Sequence, residues 1–121
     1  MTEKEKLEYL EKNGIDTHIG LRYADESFSF YLQLISVFVE EFEEKKKKAE
    51  EMAVSAKDEY AVLVHGLKNN ARALGVTGLG DLAWEHEKAA KAGEKMYIKE
   101  NLPILLSLWQ ETVRIFKKIN N

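Results

Sequence analysis

The sequence contains no cysteine. Disulfides, thiolate nucleophiles and cysteine-based zinc sites are thereby excluded. Proline is nearly as scarce, with Pro103 alone, so little in the chain interrupts a helix. No run of ~18 consecutive apolar residues exists that would span a bilayer. The opening Met1-Thr2-Glu3-Lys4-Glu5-Lys6 lacks the apolar core of a signal peptide. A basic excess is missing too. The net charge is −3, whereas a protein that lives by binding nucleic-acid phosphates is normally basic. These absences lead us to expect a cytoplasmic protein with no nucleic-acid partner and no membrane insertion.

The residues present point to helices. Hydrophobic residues make up 45% and charged residues 32% of 121 positions, which suits one soluble helical domain. Residues 3–12 read as a short helix with Leu7 and Leu10 on one side. A loop containing Gly14 and Gly20 follows, and Asp25 or Ser27 is placed to cap the next helix. That helix is expected over 26–50, because Phe28, Tyr31, Leu32, Ile35, Phe38, Val39 and Phe42 recur at three and four residues. Its charged end, Glu43-Glu44 then Lys45 to Lys48, gives i,i+4 pairs such as Glu43 with Lys47, the pattern of a solvated helix end. Further helices are expected over 56–75, stopping at Gly75, and over 79–92, stopping at Gly93.

The last helix is expected over 95–119, with Pro103 either kinking it or lying near its true start. Ile98, Leu102, Leu105, Leu106, Trp109, Val113 and Phe116 form its main stripe. Ile104, Leu108 and Ile115 form a second row roughly 100° away. The second row needs its own cover, which we assign to the N-terminal helix rather than to a second subunit. The fold class expected is therefore all-α, an antiparallel four-helix bundle with a short extra N-terminal helix. It forms a single domain, residues 1–121, with its core over about 26–119, and a monomer is expected rather than a dimer.

The third of the long helices carries the chemistry. At about 100° per residue, Asp58, Ala61, Val62, Lys68, Asn69 and Arg72 lie within about 60° of His65. Tyr60, Leu63, Leu67, Asn70 and Leu74 lie on the opposite side, so His65 is expected to face solvent. A neutral imidazole nitrogen is a good nucleophile near neutral pH. Lys68 at i+3 and Arg72 at i+7 are placed to offset the charge of a phosphoryl group. On helix geometry alone, an ordinary surface histidine among surface cations remains the simpler account.

The run His65-Gly66-Leu67-Lys68-Asn69-Asn70-Ala71-Arg72-Ala73-Leu74-Gly75 resembles the phosphorylation motif of histidine phosphotransfer (HPt) domains. His65, Leu67, Lys68, Ala71, Leu74 and Gly75 match its pattern. The flanks are similar to the same family, of the type found at the ends of hybrid sensor kinases. They are Gly14-Ile15-Asp16 with Gly20-Leu21 before the bundle, then Tyr31-Leu32, Phe38 and Phe42. Leu79, Leu82-Ala83, Glu87, Ala90 and the turn from Lys91 to Glu94 follow the histidine. The resemblance covers roughly residues 13 to 116. One position departs: Asn69 stands where the family has glycine or serine, a small residue that lets a receiver domain approach the imidazole.

The resemblance implies a phosphorelay intermediate rather than an independent enzyme. His65 would accept a phosphoryl group from a receiver-domain aspartate and pass it to another receiver. Lys68 would stabilise the phosphoryl charge, and Ala61, Val62, Asn69 and Arg72 would contact the partner. The partners implied are the receiver domains of a hybrid kinase and a response regulator. No cofactor or metal of its own is implied, since Mg²⁺ belongs to the receiver. The alternative is an HPt-like interaction module that binds without transferring.

Other residues read more plainly. His86 shares a stripe with Leu79, Leu82, Ala83, Ala89 and Ala90, so it is expected to be partly buried. His18 is expected exposed in a loop with no evident partner. Trp84 points away from the apolar stripe of its helix, towards a neighbouring segment or a contact surface. The Glu-x-x-His pairs of a di-iron bundle, the phosphate-binding Gly-x-x-x-x-Gly-Lys loop and the hydrolase Gly-x-Ser-x-Gly turn are all absent.

Overall fold

The computed structural model describes residues 1–55 and 57–120. Among them every regular element is a helix. These are α1 (Glu3–Lys12), α2 (Thr17–Tyr23), α3 (Phe28–Glu40), α4 (Phe42–Ser55), α5 (Lys57–Ala73), α6 (Thr77–Lys91) and α7 (Lys95–Ile119). The expectation of a start at residue 56 falls outside the described residues.

Two expectations need correction. The segment after α1 is not all loop: residues 17–23 form α2. Asp16 starts it, its carboxylate accepting from the backbone N–H groups of His18 and Ile19. A short polar cap thus outweighs Gly20, whose place inside the helix is set by packing. A Cβ there would stand 2.4 Å from the Tyr31 ring. The helix expected over 26–50 is likewise two helices, broken at Glu41. Backbone hydrogen bonds continue across the junction, from the Glu41 amide to the Val37 carbonyl and from the Lys45 amide to the Glu41 carbonyl. On its two sides Phe38 stands edge-on to Phe116 at 5.6 Å and Phe42 to Trp109 at 5.4 Å. No glycine or proline marks it, so periodicity alone ran straight through.

Local chemistry accounts for the other ends. Thr2 and Glu5 make a reciprocal capping box at the start of α1. Ser27, not Asp25, caps α3 by accepting from the Phe30 amide. Helix α7 runs through Pro103, which lies on an exposed face of the helix. The hydrogen bond that proline removes is therefore lost at the surface.

Helix α5 packs most extensively on α6. Helix α7 touches α3, α4 and α6, and α4 also meets α5. Trp109, Tyr31, Tyr60, Phe116, Leu105 and Leu79 are the large side chains at the centre. Helix α1 packs on α2 and α7, and its cover of the second row of α7 is partial. Ile115 is buried, but Ile104 and Leu108 remain exposed. No helix among the described residues is long and apolar enough to cross a membrane.

Candidate functional site

Helix α5 presents its buried face in a direction that periodicity placed only approximately. Tyr60, Ala61, Val64, Leu67, Ala71 and Leu74 are buried. They centre about 120° from His65 rather than opposite it. The cause is α6, which packs against one flank of α5. His65 therefore lies at the border of the helix pair, its side chain 52% exposed, with one edge against α6.

At that border stands Glu87 of α6, its side chain only 4% exposed. It occupies the apolar stripe of α6, between the buried Ala83 and Ala90. A buried carboxylate is costly unless paired, and this one has three partners. Lys68 donates to Oε1 at 2.7 Å, Lys91 donates to Oε2 at 2.9 Å, and His65 Nδ1 lies 2.9 Å from Oε2. Burial alone would raise the Glu87 carboxyl. The hydrogen bonds from Lys68, Lys91 and His65 outweigh it and hold the group at about 2.

The ionised carboxylate fixes the imidazole. An acceptor-only oxygen 2.9 Å from Nδ1 requires the proton on Nδ1. Lys68 Nζ approaches the same nitrogen at 3.3 Å, but its hydrogen bond belongs to Glu87. The Nε2 lone pair is then left pointing away from α6. Asn69, one turn further along α5, meets it with Nδ2 at 3.2 Å. The His65 ring is thus oriented by Glu87 from one side and capped by Asn69 from the other.

The remaining residues singled out by sequence fall as follows. Val62 is 72% exposed beside His65, while Ala61 is buried. Correcting its expected place, the Ala61 methyl packs towards the core because the buried face of α5 is skewed. Arg72 pairs with Asp81 at 3.2 Å on the rim of the same face. His86 is wholly buried rather than partly so, and shares a 2.7 Å hydrogen bond with the Tyr60 hydroxyl through Nδ1. Among the described residues its Nε2 finds no well-placed hydrogen-bond partner. His18 is exposed, as expected, but has neighbours: its Nδ1 lies 3.7 Å from Glu11 and 3.9 Å from Asp16. The carboxylate oxygens facing it already accept hydrogen bonds from Thr17, His18 and Ile19.

Glu87 is the residue whose role sequence reasoning missed. Its signal was present: an acid on the apolar stripe of an amphipathic helix must have partners. Which partners it had depended on the neighbouring helix.

In comparisons with protein-family models, curated proteins and solved structures, no match to the chain was found.

Two groups make stability depend on pH. Burial pushes the His86 imidazole below its ordinary 6.5, against a smaller opposing effect of the Asn101 backbone. The unfolded chain therefore takes up a proton there first, and stability falls as pH drops below about 6.5. Glu87 sits at about 2 against an ordinary 4.5, so its contribution is complete above 4.5 and is lost between 4.5 and 2. Urea midpoints at pH 7.5, 5.5 and 3.5 are expected to descend in two stages. Equal midpoints at 7.5 and 5.5 would contradict the neutral, buried His86.

Proposed function

We propose that the chain is a phosphohistidine carrier of a phosphorelay. In this reading His65 takes a phosphoryl group from the aspartyl phosphate of one receiver domain and delivers it to another. The observation that carries it is the hydrogen bond between Glu87 and His65 Nδ1, which puts the ring's lone pair on Nε2, at an exposed edge where the Asn69 amide meets it. The sequence motif around His65 supports the same reading. In this reading α3 and α4 act as one helix that with α5, α6 and α7 would form the antiparallel four-helix bundle of an HPt domain; the contacts of α4 with α5, of α5 with α6 and of α7 with α3, α4 and α6 are compatible with it.

The step balances without a cofactor on this chain. The Nε2 lone pair attacks phosphorus, the bond from phosphorus to the aspartyl oxygen breaks, and the carboxylate leaves with its electron pair. The proton on Nδ1 stays in place. The imidazolium-like product gains positive charge, and the fixed Glu87 carboxylate stabilises it. Lys68 is close enough to share its ammonium between Glu87 and a phosphoryl oxygen. Mg²⁺ would come with the receiver. The whole exchange would take place in the cytoplasm.

A second reading has its own observation. Asn69 Nδ2 holds the Nε2 lone pair, as suits a helical module that binds a partner and transfers nothing. The two readings separate by labelling with a phosphorylated receiver in Mg²⁺. A carrier becomes labelled in an acid-labile, base-stable form, and His65→Gln does not. A protein labelled by no receiver, in wild type or in Asn69→Gly, is the binder. For a carrier, Asn69→Gly is expected to raise the initial labelling rate about tenfold. It removes a hydrogen bond of about 1 kcal/mol to the nucleophile and opens the approach. An unchanged rate would show that Asn69 swings aside freely.

A further inference from the structure

The chain has two tryptophans, and the packing gives them opposite roles. Trp109 is buried in the core, whereas Trp84 is 43% exposed on α6. Tyr23 and Phe30 are exposed aromatics too, and single exposed apolar residues are common; what distinguishes Trp84 is its cationic surroundings. Trp84 is also held in place. Lys88 Nζ lies 4.0 Å from its ring centroid and Arg72 Cζ lies 5.6 Å from it. Arg72 is in turn tied to Asp81, and Lys88 to Glu85 at 2.9 Å. The ring is a pre-organised aromatic shelf with cations around it.

Its position matters as much as its exposure. Arg72, which touches it, follows His65 by seven residues on α5, about 10 Å along the helix. Glu87, which orients His65, follows Trp84 by three residues on α6. A protein interface of ordinary size covers about 800 Å² on each partner, a disc about 16 Å in radius. A folded partner whose interface of that size is centred on His65 Nε2 would reach Trp84 as well. Val62, 72% exposed, lies on the other side of His65 within the same disc. Tryptophan and arginine are the residue types that most often dominate binding energy.

We propose that Trp84, with Arg72 and Lys88 around it, is the docking anchor for the receiver domain that exchanges phosphate with His65. The proposal rests on the phosphocarrier reading above. An anionic partner suits the site, because Arg72 and Lys88 present exposed cationic groups beside the ring. Their carboxylate partners Asp81 and Glu85 are themselves exposed and exchange readily with water. A receiver face bearing an aspartyl phosphate can take over these cations while its apolar rim covers the indole.

The test separates docking from chemistry by using two phosphoryl donors. Phosphoramidate is small: His65 attacks its phosphorus, the phosphorus–nitrogen bond breaks and ammonia leaves, with no protein surface involved. A panel of phosphorylated receiver domains supplies the second donor. The quantity read is the ratio of receiver-driven to phosphoramidate-driven labelling, measured in the full chain. Trp84→Ala is expected to lower this ratio at least tenfold, and Trp84→Phe to restore most of it. A ratio unchanged in Trp84→Ala overturns the anchor. Phosphoramidate labelling of wild type without transfer from any receiver overturns the receiver as occupant of this surface. No phosphoramidate label on His65 overturns the carrier reading itself. Thermal melts of the variants report folding independently.

Discussion

For the phosphohistidine carrier proposed above, Glu87→Ala is expected to slow phosphoryl labelling of His65 by roughly 30–100-fold, the scale on which groups that orient a catalytic imidazole act. Three effects combine. The proton on Nδ1 loses its acceptor, so the tautomer with a free Nε2 is no longer selected. The ring loses its tie to α6 and swings about its side-chain torsions. The charge that offsets the imidazolium-like product also disappears. Glu87→Gln distinguishes these effects. An amide oxygen still accepts from Nδ1–H, so orientation is retained while the charge is lost. The expected order of initial rates is wild type, then Gln, then Ala, read with phosphoramidate so that docking does not enter. Stability is expected to fall by about 1–2 kcal/mol in Glu87→Ala. Lys91 is well exposed and returns to water, but the Lys68 side chain is only 13% exposed and loses a buried partner. Labelling of Glu87→Ala at the wild-type rate would show that Glu87 serves packing alone.

Gly75→Ala is expected to be strongly destabilising, by about 3–5 kcal/mol. Gly75 ends α5 with φ +87°, a conformation that costs a residue with a Cβ about 1–2 kcal/mol. The larger part is steric. An added Cβ would stand 2.0 Å from the Asp16 carbonyl oxygen and 2.8 Å from its carbon. Both contacts are backbone, so neither can swing aside. The displaced segment is the one that docks α2 on the end of α5. There the Asp16 amide donates to the Gly75 carbonyl at 2.9 Å, and the Tyr31 hydroxyl donates to the Leu74 carbonyl at 2.8 Å. The loss expected is a large fraction of the 5–15 kcal/mol typical of a domain. Urea unfolding followed by far-ultraviolet circular dichroism measures it. A loss below 1 kcal/mol would mean that the turn relaxes without disturbing the dock.

The glycines illustrate two ways of reading one residue type. Gly75 and Gly93 stop helices, and both were legible because each follows an amphipathic stretch; in the structure each takes positive φ. Gly20 sits inside α2 with the Tyr31 ring against its backbone. Only the neighbouring helix explains that glycine, and periodicity within one segment carries no information about a neighbour.

Helix type and most helix limits follow from the sequence by itself, because the spacing of apolar residues and the caps act within a few residues. Helix α1 and helix α7 begin and end where their patterns do. The exposure of His65 and the crowding of Lys68 and Asn69 around it are local as well, set by 3.6 residues per turn. Tertiary structure decided the rest. The contacts of Phe38 with Phe116 and of Phe42 with Trp109, on either side of Glu41, join residues of different helices. The burial of Ala61, the tautomer of His65 and the clamp on Trp84 all depend on how α6 lies against α5. A helix repeats its own faces through local geometry, but the hydrogen bond between His65 and Glu87 joins residues on two helices, and only the packing of those helices brings them within 2.9 Å.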